Sequence, residues 1–193
     1  MITLEAPRGM VGEAKRAWSG VGLSAAGLGR FLRAVQRMAG VEGEVNVLLA
    51  DDRTLRRLNR SFLGNDKATD VLSFPAGATA CFFGEPGAEE MAGDIAISLE
   101  TAARQAARYG HSLRDEVRVL MLHGVLHLAG FDHETDEGEM AAREGELRRE
   151  LGLAGGMIGR GIGGGTRAKA DSSAALRNDK QRALRNDNER VRA

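Results

Sequence analysis

The sequence predicts a small α/β fold of the α+β kind: a mixed four-stranded sheet packed with five to six helices. Three observations carry that expectation. Short alternating or wholly apolar runs and longer runs at helical spacing follow one another in the order β-α-β-α-β-β-α-α-α. Apolar residues make up 42% of the chain, enough for a core, and with aromatics at only 4% Leu, Val, Met and Ala must fill most of it. At 193 residues the chain fits one domain plus a tail better than two domains.

Ile2–Leu4 reads as a short first strand. Ser24 caps a helix that carries Leu28, Phe31, Leu32, Val35 and Met38 at helical spacing and stops at Gly40. Val45–Leu49 alternates and then runs apolar, as a buried strand does. Asp51 or Asp52 opens a helix whose buried face uses Leu55, Leu58 and Phe62. Thr69–Phe74 reads as a strand halted by Pro75, and Pro75 to Ala92, with glycines, prolines and little periodicity, as a long loop. Gly93–Ser98 is the fourth strand, and Ser98 caps a helix over Leu99–Tyr109 that ends at Gly110. Ser112, followed by Asp115 and Glu116, opens a helix reaching about Ala129, where Gly130 ends it. A last, strongly charged helix runs from about Asp136 to Leu151, with Met140, Leu147 and Leu151 as its inward stripe.

The domain is expected to span residues 1–152. Beyond it the character changes: seven of the eleven residues from Gly155 to Gly165 are glycine, which cannot support a core. The tail then repeats Ala-Leu-Arg-Asn-Asp at 175–179 and 183–187, too short a period for a solenoid unit. Residues 153–193 are therefore expected to be a Gly-rich linker and a disordered basic tail. A nucleic-acid-binding role for the tail is the lesser alternative, since it has no aromatics to stack bases. The formal charge is zero overall, but from Arg167 onward there are eight basic and four acidic side chains, leaving 19 basic and 23 acidic before them. No global field draws the body to DNA or to a membrane, and neither is expected as a partner. The single cysteine, Cys81, excludes an internal disulfide and suits a reducing compartment. The start lacks the pattern of a secretion signal, and the most apolar stretch, Val117 to Phe131, is shorter than the roughly 20 residues a membrane span needs. A cytoplasmic protein is expected.

The chemistry concentrates in His123-Gly-Val-Leu-His127-Leu-Ala-Gly130-Phe-Asp-His133, which holds three of the four histidines. His123 and His127, four apart on a helix, lie on one face. Gly130 lets the chain turn and bring His133 back towards them. Three nitrogens with a fourth position open suit catalytic zinc, whereas structural zinc has four protein ligands. A lone histidine is ordinarily a satisfied core or surface residue. Two imidazoles in so apolar a helix are costly to bury unless they gain partners, and one metal serves both. Imidazole also suits nickel, copper and iron. The spacing is that of the metzincin peptidases, H-E-x-x-H-x-x-G-x-x-H, so a metzincin-like metal helix is expected. Gly124, however, stands where they carry the general-base glutamate, which disfavours peptidase chemistry. Glycine costs about 1 kcal/mol relative to Ala inside a helix, so either a neighbouring backbone or substrate comes close there or the glycine simply packs.

With these residues on view, the chain resembles the YbeY family of metal-dependent endoribonucleases. His123 to His133 matches the family's H-G-x-L-H-L-x-G-x-D-H without a mismatch. Asp66-Lys-Ala-Thr-Asp-Val-Leu-Ser-Phe-Pro75 and Gly93-Asp-Ile-Ala-Ile-Ser98 agree as well. The resemblance implies zinc on His123, His127 and His133, and cleavage of single-stranded RNA in 16S rRNA 3′-end maturation and ribosome quality control, with rRNA and the 30S subunit as partners. A zinc-bound water is the expected nucleophile, its pKa lowered towards about 7, or the ribose 2′-OH attacks instead. Asp132 either fixes the tautomer of a ligand imidazole or caps the turn at Gly130. One departure stands out: where the family has Asn-x-x-[Tyr/Phe]-Arg-x-Lys-Asp, this chain has Leu63 for the arginine and Asn65 for the lysine. A guanidinium there would stabilise charge building on phosphate. Arg60, Arg56 and Lys67 are the candidates to replace it in RNA binding. Two other classes stay open: a zinc-containing ribosome-assembly factor that binds rRNA without cutting, and a metallohydrolase of another substrate.

Overall fold

A computed structural model describes residues 1–4, 23–76, 91–133 and 135–153. The Gly-rich segment and the repeated tail lie outside the described residues, as do Cys81 and most of the expected loop after Pro75. Four strands, β1 (Ile2–Leu4), β2 (Glu44–Ala50), β3 (Val71–Pro75) and β4 (Met91–Ser98), form one sheet in the order β1-β2-β4-β3. β1 and β4 both run parallel to β2, and β3 lies antiparallel to β4 at the edge, so the sheet is mixed as expected. Five helices are described: α1 (Ala25–Ala39), α2 (Asp52–Leu63), α3 (Leu99–Tyr109), α4 (Leu113–Leu128) and α5 (Glu139–Glu150).

The caps form where short polar side chains precede the helical runs. Ser24, Asp51, Ser98 and Ser112 are extended, and each accepts the N–H of the residue three positions on. Three boundaries differ from the sequence expectation. β4 begins at Met91 rather than Gly93, because Met91 pairs with Glu44 of β2 and the Ala76 N–H donates to the Ala92 carbonyl. β3 begins at Val71 rather than Thr69 and includes Pro75, which an edge strand tolerates. α5 begins at Glu139, not Asp136. Gly138 sits at φ +112, and the Asp136 carboxylate accepts the N–H groups of Gly138 and Met140 at 2.9 and 2.7 Å, capping the helix from outside.

Strand alternation divides the core between the two faces of the sheet. Val45, Val47, Leu49, Ile95 and Ile97 meet α1, α3, α4 and α5 in the larger cluster. Leu48, Ala50, Leu72, Phe74 and Ala96 meet, among the described residues, α2 through Leu55, Leu58, Phe62 and Leu63. α4 is the central helix of the larger layer: from Glu116 to His127 every residue except Arg118 is buried, and the Arg118 guanidinium lies 5.5 Å from the Phe31 ring centre. Its close seat on the sheet depends on Gly124. A Cβ there would lie 2.9 Å from Ile95 Cγ2 and 3.1 Å from Ser73 Oγ. The glycine thus packs against side chains of β4 and β3, and Ser73 donates to the Gly124 carbonyl at 3.3 Å. Asp94 is also buried in the sheet and accepts from Asn46 Nδ2 at 3.1 Å. No described helix is long and apolar enough to cross a membrane.

The N-termini of α2 and α3 lie side by side beyond the ends of β2 and β4, and Asp52 stitches them. Its carboxylate accepts from Ser98 Oγ, from Thr101 Oγ1 at 2.7 Å and from Arg104 Nη2 at 2.9 Å, while its N–H donates to Glu100. Partial burial pushes the Asp52 carboxyl up, but these hydrogen bonds and the Arg104 charge outweigh it and hold the group below the usual carboxylate range.

Two outcomes follow from this packing. A folded-state pKa below the unfolded one gives stability that is present above about pH 4 and lost as pH falls. Asp52→Asn should therefore be less stable than the parent at neutral pH and lose less on acidification, as read by denaturant titration at several pH values. Gly124→Ala gains about 1 kcal/mol of helix propensity but overpacks stiff Ile95 at about 1–3 kcal/mol. Its melting temperature should fall, and a rise would refute the close seat of α4.

Candidate metal centre

α4 points His123 and His127 out of one side of an otherwise apolar helix, with 6% and 9% of their surface exposed. The helix ends at Leu128, and Gly130 adopts φ +95, the left-handed conformation that reverses the chain. Backbone bonds secure the turn: the Gly130 N–H donates to the His127 carbonyl and the Phe131 N–H to the Leu126 carbonyl. The next residues rise back along the helix and deliver His133. The three rings form a near-equilateral triangle, with centres 4.7 Å apart for His123 and His127 and 5.3 Å from each to His133. One ring nitrogen from each lies within 4.8 Å of the others.

The donor set fits a metal. Tetrahedral zinc with Zn–N of about 2.0–2.1 Å places its nitrogens about 3.3 Å apart, and His123 Nε2 lies 3.1 Å from His127 Nε2. The other nitrogen of His123 is occupied. Nδ1 lies 2.9 Å from Glu144 Oε2 of α5, and the second Glu144 oxygen forms an ion pair with Arg148 Nη2 at 2.8 Å. Paired with Arg148, the Glu144 carboxylate accepts from a proton-bearing Nδ1 and so leaves the His123 Nε2 lone pair facing the cluster. Glu144 and Arg148 are 1% and 2% exposed, so the chain of three groups is an interior one. Sequence reasoning missed both. The signal was positional: Glu144 follows Met140 by four residues and precedes Leu147 by three, inside the stripe read as apolar.

The remaining expected site residues are placed as follows. Asp132 is buried, and its carbonyl accepts the N–H groups of Thr135 and Asp136, which organise the turn after His133. Leu63 is half-buried and packs on the Leu48–Phe74 cluster. Arg60 is exposed on α2, which covers the opposite face of the sheet from α4, so the two are not brought together. Arg56 forks the Asp66 carboxylate at 2.8 and 2.7 Å, and that bond holds the Asp66 carboxyl low. Lys67 is exposed in the loop after α2, where buried Asn59 donates to its carbonyl at 2.9 Å. The fourth histidine, His111, pairs with buried Glu116 at the α3–α4 turn, outside the cluster.

Comparison with known proteins agrees with this geometry. A profile of the family "Endoribonuclease YbeY" matches residues 26–152. The chain is 52% identical to Endoribonuclease YbeY of Koribacter versatilis over 139 residues, covering 72% of this chain and 85% of that protein. Against the Solibacter usitatus protein of the same name it is 47% identical over 131 residues, 68% of this chain and 82% of that one. The Moorella thermoacetica protein, also so named, is 45% identical over 133 residues, 66% and 83% respectively. The matched span contains the histidine cluster and the described helices except Ala25, the first residue of α1. This chain belongs to the YbeY endoribonuclease family.

Proposed function

We propose that the chain is a zinc-dependent endoribonuclease that cuts single-stranded RNA during rRNA maturation, acting in the cytoplasm on the 3′ end of 16S rRNA at the 30S subunit and in ribosome quality control. The observation that carries this reading is the convergence of three imidazoles at the end of a buried helix, with no fourth His, Cys, Asp or Glu joining them among the described residues. Family membership supplies the substrate class: the relatives it matches are named endoribonucleases. An RNA-binding assembly factor that does not cut is not favoured.

In this reading His123, His127 and His133 hold the ion. When bound, zinc supplies a cationic centre that polarises a phosphoryl oxygen or acidifies a water. Glu144 and Arg148 set the tautomer and direction of His123, and buried Asp132 is the proposed second orienting carboxylate, on the turn that carries His133. Ile95 and Ser73 crowd the helix face at Gly124, so no carboxylate stands between the first two histidines to act as a peptidase base. Arg60 and Lys67 are proposed RNA contacts, engaging backbone phosphates away from the cluster. Residues 1–152 form the catalytic unit, where the family match also stops, with 153–193 as an appendage. An attacking water leaves a linear phosphate and an attacking 2′-OH a 2′,3′-cyclic one, so the product end distinguishes them.

Purified protein should cut labelled single-stranded RNA, and both a chelator and His127→Ala should abolish cutting; equal cutting by the variant would refute the assignment. Glu144→Gln should retain the fold but bind zinc about 10–100-fold more weakly in competition with a chromophoric chelator. Unchanged affinity would remove Glu144 from the site's support.

A further inference from the structure

We propose that the solvent face of α2 is a track for the RNA phosphate backbone, set on the opposite side of the sheet from the histidine cluster. The inference rests on the endoribonuclease reading and extends it to how a longer substrate is held. Arg53, Arg57 and Arg60 are all exposed. At 100° per residue they fall within about 60° of arc and span about 10 Å of helix axis. With Arg56 they line a groove of about 400 Å³.

The neighbouring carboxylates are already engaged. Asp51 accepts the Thr54 N–H at 2.8 Å, Asp52 is bound to Thr101 and Arg104, and Asp66 is forked by Arg56. Among the described residues Arg53, Arg57 and Arg60 have no ion-pair partner. Arg104 and Arg56 offset the charges of Asp52 and Asp66, and with only Asp51 left to oppose them the three guanidiniums in a row form a net cationic anion site several charges long. Arginine's planar fork suits phosphate oxygens. The apolar side of α2 is turned into the sheet, and Met1 is the only large hydrophobic exposed among the described residues. The face therefore lacks the apolar side chains a lipid surface would take up. It also lacks aromatic rings, so it grips backbone rather than bases and imposes no sequence preference.

Position sets a length requirement. Helix, sheet and helix are stacked layers at spacings of about 10 Å, so RNA reaching from α4 around the edge strand β3 to the outer face of α2 must travel at least roughly 25 Å. At about 3.4 Å per stacked nucleotide that is at least about seven nucleotides. Short RNAs occupy the cluster alone, and longer ones also engage the arginines.

The test is equilibrium binding of full-length protein to non-cleavable 2′-O-methyl oligomers of about 4 and about 20 nucleotides across a salt series. Replacing all three arginines (Arg53→Gln, Arg57→Gln, Arg60→Gln) should lower the slope of log affinity against log salt by about 2 for the long oligomer, at about 0.7 per phosphate contact. It should leave the short oligomer's slope as it was. The corresponding three Arg→Lys substitutions should keep most of the long oligomer's slope, because the charge remains. An unchanged slope on the long oligomer, or an equal loss on the short one, overturns the track. Wild-type protein that shows chelator-sensitive cutting alongside that result leaves the endoribonuclease reading in place; wild-type protein that does not cut removes both.

Discussion

Two imidazoles on the most deeply buried helix of the domain are the constraint around which the rest is arranged. α4 is surrounded by α1, α3, α5 and the sheet, and from Glu116 to His127 only Arg118 escapes burial. An imidazole in such surroundings needs a partner for each nitrogen, since a buried polar atom left unmade costs about 1–3 kcal/mol. For His123 one partner is Glu144, itself a buried carboxylate that requires Arg148. The Glu144–Arg148 pair lies within α5, and α5 is joined to α4 by the His123–Glu144 hydrogen bond as well as by Met140 and Leu147. The other nitrogen of His123 faces His127 across 3.1 Å, with His133 closing the triangle. That leaves a place where a cation relieves crowding among three lone pairs.

The sheet separates two kinds of work. One face supports the helix that carries the histidines, and Gly124 lets the helix settle onto Ile95 and Ser73. Among the described residues the other face is covered by α2, whose outer side is lined with arginine. At Leu63 the chain follows the packing needs of this second layer: the side chain helps bury Phe74 and Leu72 rather than reaching out as a guanidinium. Cationic character is instead displaced along α2 by one to three turns.

Much of this was legible in the residues because local chemistry dictates it. Ser24, Asp51, Ser98 and Ser112 were readable as caps because an N-cap is a short-range bond to the N–H three residues on. The histidine spacing was equally local, since four residues on a helix and a glycine turn place the rings with little help from elsewhere. What was not legible depended on distant partners. Met91 joins β4 only because Glu44 and the end of β3 pair with that region. The acidic run before α5 looked helical, yet Gly138 takes a left-handed conformation and Asp136 turns its carboxylate to the helix start. Glu144 read as one more charge on a charged helix until α4 was beside it. Arg60 lies three residues from Leu63 in the chain, but the sheet stands between it and α4.

The most direct test of the central claim is X-ray absorption spectroscopy of the zinc-loaded protein. Convergence of His123, His127 and His133 predicts three imidazole nitrogens at about 2.0–2.1 Å and a light-atom ligand from solvent. A sphere with fewer than three imidazoles, or one closed by a fourth protein ligand, would contradict it.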